Sequence, residues 1–210
     1  MRRRHPAAGE EWRTLSPMNP WYAKAVFLAG SVAMVAIRAP HGQRSRGIRI
    51  VKSRKGRRET VLLTFAWISF FLPLLWIATP LFAFADFQLR PIPLGTGSAC
   101  IALGLWVFRR SHADLGTNWS VTLDIRDGHR LVTGGIYGRV RHPMYSGLLL
   151  YGVGQAMALP NWLAGPSYLA ALVPLVLSRL GPEEGMMREA FGKEYEEYAA
   201  RTRRLIPGVW

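Results

Sequence analysis

The sequence predicts an all-α fold: an integral membrane helical bundle of about five transmembrane helices, with a cytosolic C-terminal helix. Three observations carry that expectation. Half of the 210 residues are hydrophobic, and they are gathered in blocks rather than spread along the chain. The basic excess, a formal charge of +14, falls mostly between those blocks. Alternate inter-block segments hold most of it, which is the pattern of a chain that crosses a bilayer an odd number of times.

Each element follows from the local pattern. The first apolar stretch runs from Trp21 to Ile37, with Trp21 and Tyr22 as interfacial anchors. The second runs from Val61 to Phe84, and Pro73 and Pro80 are expected to kink or divide it. The third, Leu94 to Phe108, is short and rich in small residues. The fourth runs from Tyr145 to Leu163, with Pro143 suited to its first turn. The fifth, Ser167 to Leu177, is short for a span and is interrupted by Pro174. After Gly181 a separate tail helix is expected. Pro182 opens it, Glu183 and Glu184 complement its dipole, Gly192 bends it and Pro207 ends it. Met187, Phe191, Tyr195 and Tyr198 form one stripe along it. Leu131-Val132 reads as a short extended piece, and Asp127-Gly128 and Gly134-Gly135 read as turns.

Charge orients the bundle. Nine basic residues from Arg38 to Arg58 lie between the first two stretches. Arg109, Arg110, Arg126, Arg130, Arg139 and Arg141 lie between the third and fourth, and Arg179, Arg188, Lys193, Arg201, Arg203 and Arg204 lie in the tail. Five spans place all three regions on one side, the cytoplasmic one. Arg2, Arg3, Arg4 and Arg13 disagree, and a translation start at Met18 would remove them. The basic loop therefore reads as a topology determinant on an anionic leaflet. Membrane lipids are the expected partners, and nucleic acid is not. The lone Cys100 excludes an intrachain disulfide and a multi-cysteine metal site. His41, His112 and His129 match no ligand spacing, so no metal is expected. Gly147, Gly152 and Gly154, like Gly95, Gly97, Ser98 and Gly104, lie within apolar stretches and read as packing faces.

The chemistry concentrates in two polar clusters. One is Thr133 to Tyr145, with two arginines, His142 and two tyrosines set against the start of the fourth stretch. The other is Glu183-Glu184 through Tyr198. From residue type alone, His142 is a hydrogen-bonding group or proton carrier. Arg139 and Arg141 read as headgroup anchors, and Tyr137 and Tyr145 as belt tyrosines.

Taken in order, these motifs carry a resemblance. They are His129-Arg130-Leu131-Val132-Thr133-Gly134-Gly135-Ile136-Tyr137, Arg141-His142-Pro143-Met144-Tyr145, Arg179 with Glu183-Glu184, Phe191-Gly192-Lys193-Glu194-Tyr195 with Tyr198, and Ile206-Pro207. With Gly116-Thr117-Asn118-Trp119-Ser120 upstream, the chain from Leu115 to Pro207 resembles the isoprenylcysteine carboxyl methyltransferase family. Phospholipid N-methyltransferases share much of the same C-terminal pattern.

The resemblance implies a membrane enzyme that uses S-adenosyl-L-methionine and methylates a lipophilic or prenylated acceptor. Residues 1–93 would then be membrane helices with a basic loop, and residues 94–210 the methyltransferase core. It implies that His129, Arg130, Leu131, Val132, Tyr137, His142, Pro143, Met144, Tyr145 and Glu183 line the cofactor site. Arg179 would orient the acceptor. A family glutamine falls near Thr122, where this chain departs. Carboxylate O-methylation is the nearest implied reaction. Amine or thiol methylation is the alternative, and a non-catalytic lipid-binding scaffold is a reading of a different class.

Overall fold

The computed structural model describes residues 18–45, 50–53, 56–116, 124–126 and 130–210. Its long elements are α1 (Trp21–Ser45), α2 (Arg57–Ala78), α3 (Pro91–Leu115), α4 (Pro143–Ala158) and α5 (Ser167–Phe191), followed by the short α6 (Lys193–Arg201). Two strands, β1 (Ile50–Ser53) and β2 (Asp124–Arg126), pair antiparallel. No sequence signal announced them. They join the loop after α1 to the loop after α3, so both loops lie at one end of the bundle, as the alternation of charge required.

Helix boundaries follow local chemistry. Asn19 Oδ1 accepts from Trp21 N at 2.9 Å and opens α1. Pro80 does divide the second apolar stretch: α2 stops at Ala78, and Pro80–Ala85 forms a separate 3-10 turn. Thr79 bridges them, its hydroxyl donating to Leu75 O at 2.8 Å. Proline occupies the first turn of both α3 and α4, where its missing N–H costs nothing. The third stretch is longer than expected, because α3 extends through the polar residues up to Leu115.

At the end away from the strands, Asn161 ties the turns together. Its amide donates to Phe82 O at 2.8 Å and to Asp86 Oδ1 at 2.7 Å, while its carbonyl accepts from Leu163 N and Ala164 N. Trp76 Nε1 reaches the same Asp86 oxygen at 2.7 Å.

The α3–α4 contact is the tightest in the bundle. A Cβ on Gly104 would lie 2.7 Å from Gly147 O, and one on Gly154 would lie 2.6 Å from Gly97 O. These small residues let the two backbones touch, as read from the sequence. Gly152 instead faces Leu169 of α5, and Gly95 faces open space. The core gathers Phe27, Ile101, Phe108, Tyr151, Leu159, Tyr168 and Val176.

Outside that core, large apolar side chains stand exposed along the helices: Val32, Val61, Phe65, Ile68, Leu103, Trp106 and Leu177 among them. Such a belt is lipid-facing rather than water-facing. α1, α2 and α3 are long and apolar enough to cross a membrane. The protein is thus a nearly all-helical integral membrane protein. α4, with 16 residues, is shorter than the roughly 20 a straight span takes.

The tail departs most from expectation. No separate helix begins at Pro182; α5 runs unbroken from Ser167 through Gly181-Pro182 to Phe191. The break comes at Gly192, whose φ of +53° is a conformation glycine adopts without strain. α6 ends at Arg201, before Pro207. Leu131-Val132 forms no strand, and Asp127-Gly128 lies outside the described residues.

Candidate active site

The continuity of α5 builds the site. Because the helix holds through Gly181-Pro182, Arg179 and Glu183 sit one turn apart on one face, with Nε 3.7 Å from Glu183 Oε1. The start of α4 meets that face. Pro143 fills the first turn, which leaves His142 just before the helix and Tyr145 just inside it. Their rings stack 5.8 Å apart at 18°. The Tyr145 hydroxyl donates to Glu183 Oε1. His142 reaches two carboxylates at once, with Nδ1 3.4 Å from Glu183 Oε2 and Nε2 3.5 Å from Glu184 Oε1.

Glu184 is the hub, and the sequence reading gave it no role of its own. It is 1 % exposed. Arg141 Nε donates to its Oε1 at 3.0 Å, Arg204 Nε donates to the same oxygen at 3.1 Å, and Arg204 Nη2 donates to Oε2 at 3.0 Å. Arg141 is therefore no headgroup anchor. Its guanidinium points inward and also donates to Ala199 O at 2.9 Å and to Thr202 O. A buried carboxylate with this many donors outcompetes the water it has lost.

The residues after α6 close over the site. Arg141 N donates to Arg203 O at 2.7 Å, His142 N to Arg204 O at 2.9 Å, and Ser146 Oγ to Leu205 O at 2.6 Å. Tyr198 donates to Tyr137 O at 2.7 Å. The Tyr137 ring is buried, with its hydroxyl directed at Ser111 O of α3. The turn before it is held by Asp114, whose Oδ2 accepts from Ile136 N at 2.8 Å. Gly135 (φ +60°) lies so close to Asp114 that a side chain there would collide with the carboxylate.

The charges reinforce one another. Burial works against a charged His142, but hydrogen bonds and Coulombic attraction from Glu183 and Glu184 outweigh it and raise its pKa above 6.5. Burial likewise works against the charged form of Glu184, and the hydrogen bonds from His142, Arg204 and Arg141 overcome it and drive its pKa well below the usual carboxylate range. Burial pushes the Tyr195 phenol up to about 12, with the Glu184 charge adding to it.

Of the residues picked from sequence, His142, Tyr145, Glu183 and Arg179 come together here. Pro143 is buried beneath them, and Met144 packs against the core. Leu131 and Val132 lie half-buried in irregular chain ahead of Tyr137, and Arg130 is exposed. His129 and Thr122 lie outside the described residues. Sequence reading missed Glu59, in the first turn of α2. Its Oε1 accepts from Arg179 Nη2 at 3.0 Å, and both side chains are buried. An acidic residue at the head of an otherwise apolar helix was the available signal.

The model of the phospholipid methyltransferase family matches residues 93–194. Protein-S-isoprenylcysteine O-methyltransferase B of Arabidopsis thaliana is 31 % identical over 115 residues, which cover 54 % of this chain and 58 % of the relative. The protein-S-isoprenylcysteine O-methyltransferase of Homo sapiens is 31 % identical over 116 residues, covering 54 % and 41 %. Among solved structures, the eukaryotic intramembrane Ras methyltransferase ICMT aligns over 76 % of this chain and 55 % of its own, with a TM-score of 0.51 and 25 % identity. The chain spans about half the length of the curated relatives it matches.

Proposed function

We propose, from this likeness to the isoprenylcysteine carboxyl methyltransferases, that the chain is an S-adenosyl-L-methionine-dependent methyltransferase acting on a lipophilic acceptor. The observation that carries the reading is the convergence of Arg179, Glu183, His142 and Tyr145 at one end of the bundle. That convergence lies within the stretch matched by the phospholipid methyltransferase family model. The positive-inside pattern assigns this end to the cytoplasm, and five crossings follow if α4 and α5 also traverse the bilayer.

The residues fit the cofactor. Glu183 keeps a quarter of its side chain exposed while Glu184 is sealed, so Glu183 is the carboxylate a ligand can reach. An ionised carboxylate offers about four acceptor sites, and Tyr145 and His142 leave room for an ammonium group. By the resemblance, the irregular chain at 130–134 and the buried Tyr137 turn would form the adjoining wall. Bound there, S-adenosylmethionine would supply a methyl group on a positively charged sulfur.

The chain's own work is alignment. Arg179 orients a carboxylate acceptor by charge-assisted hydrogen bonds. Such an acceptor reacts as its anion and needs no base. His142 suits that reaction, because a ring held between two carboxylates fixes Glu183 in place rather than removing protons. The exposed apolar flanks of the bundle suit an acceptor that arrives dissolved in the bilayer.

The test is to incubate detergent-purified protein with methyl-labelled cofactor and N-acetyl-S-farnesylcysteine or a native lipid extract. Transfer of label as a methyl ester that alkali releases as methanol is the expected result. Absence of any S-adenosylmethionine or S-adenosylhomocysteine affinity in well-folded protein would instead support a scaffold. The phospholipid methyltransferase match over 93–194 favours a second reading, an amine headgroup as acceptor, whose N-methyl product survives alkali.

A further inference from the structure

Glu59 is a buried ionisable group that the mechanism above leaves without a task. It comes from the first turn of α2, 120 residues before its partner Arg179, and it is 7 % exposed. Only Oε1 is engaged by Arg179. Oε2 is buried and has no hydrogen-bond partner among the described residues. Buried polar atoms are nearly always satisfied, and an exception points to strain or to a missing ligand. Arg179 holds Glu59 through Nη2 at 3.0 Å and carries its Nε 3.7 Å from Glu183 Oε1, which ties Glu59 to the same cluster.

The chemistry of the orphan limits what can complete it. A carboxylate oxygen accepts and does not donate. A bare carboxylate acceptor, oriented by Arg179, would leave Oε2 unsatisfied. An acceptor with an N–H next to its carboxylate would satisfy both halves of the Glu59–Arg179 pair. The cation takes the carboxylate, and the orphan oxygen takes the N–H. The C-terminal residue of a peptide chain has that arrangement, with a carboxylate and an amide N–H on one carbon.

We propose that Glu59 is a specificity-determining residue which accepts a hydrogen bond from the N–H beside the acceptor's carboxylate. The proposal rests on the carboxylate-methylation reading above. No bond is made or broken by Glu59; it reads the headgroup while Arg179 aligns it.

Two acceptors that differ in one hydrogen test this: N-acetyl-S-farnesylcysteine and its analogue methylated on the amide nitrogen. KM is measured for both. Their affinity in the presence of S-adenosylhomocysteine is measured by calorimetry, on the wild-type protein and on Glu59→Gln. The wild type should favour the N–H acceptor by about 10-fold, the size of one well-made buried hydrogen bond. Glu59→Gln should bring the ratio close to one while S-adenosylhomocysteine affinity holds. Equal treatment of both acceptors by the wild type overturns the proposal even if the variant fails to fold. A preference that survives Glu59→Gln also overturns it. If neither carboxylic acceptor is bound or turned over while an amine lipid is methylated, the carboxylate reading itself falls and takes this proposal with it. That outcome is distinct from turnover without discrimination.

Discussion

Arg141 and Glu184 lock the loop before α4 onto the second half of α5: Nε and Nη2 of the arginine both lie 3.0 Å from the same carboxylate oxygen. The pair is buried, with Glu184 at 1 % exposure. It fastens the two segments that share the site, and Arg204 adds the C-terminal chain to the same carboxylate.

Removing Glu184 should therefore be a stability lesion. Glu184→Ala strands Arg141 beside His142 and Arg204, and loss of one partner from a buried pair costs about 3–5 kcal/mol. Thermal unfolding in detergent should show a fall of many degrees. An unchanged midpoint would mean the three cations rearrange without loss.

Glu183→Ala should behave in the opposite way. The residue is partly exposed and, on the proposed assignment, holds the cofactor, so S-adenosylhomocysteine affinity should drop at least ~10-fold, the cost of one charge-assisted hydrogen bond. The unfolding midpoint should move far less than in Glu184→Ala. Calorimetry showing full affinity would remove Glu183 from the cofactor site.

The His142 cluster sets a pH dependence. A histidine whose folded pKa is raised contributes stability that is fully present below its unfolded pKa of 6.5 and is lost as pH rises through the folded value. Glu184, whose folded pKa is lowered, contributes stability present above 4.5 and lost as pH falls through the folded value. Unfolding midpoints should thus decline on the alkaline side of pH 6.5, and His142→Asn should flatten that decline. A parallel slope in the variant would show that another group titrates.

The α3–α4 seam offers a matched pair of substitutions. In Gly104→Ala the new Cβ would lie 2.7 Å from Gly147 O and 2.8 Å from Tyr151 N, so the helices must part, at a cost of about 1–3 kcal/mol. Gly95→Ala on the same helix meets nothing within 4 Å and should be neutral, or stabilising by up to ~1 kcal/mol through helix propensity. Equal unfolding midpoints for the two would argue against a tight seam.

Much of this was legible in the chain because it is local. Pro143 and Pro80 mark helix boundaries through the geometry of one ring, and Gly104 and Gly147 announce close packing by lacking a side chain. What escaped depends on partners distant in sequence. Gly181-Pro182 reads as a break by propensity. The helix persists because Arg179 on one side of the dipeptide and Glu184 on the other are both pinned by buried charges from other segments. Glu183 and Glu184 are indistinguishable by type. Their roles diverge because neighbours on a helix point about 100° apart, so one meets the α4 mouth and the other the sealed arginine cluster. Glu59 and Arg179 lie 120 residues apart and share no local pattern.

The unbroken α5 also acts as a ruler. On the proposed assignment, the acceptor's anchor Arg179 and the cofactor's anchor Glu183 stand on one rigid rod, four residues and roughly 6 Å apart along its axis. The gap between the two reactants is then measured by helix pitch rather than by the fit of two mobile loops. It stays constant however the lipid flanks flex. A single residue inserted at Gly181 would turn one anchor about 100° away from the other and uncouple the two binding events.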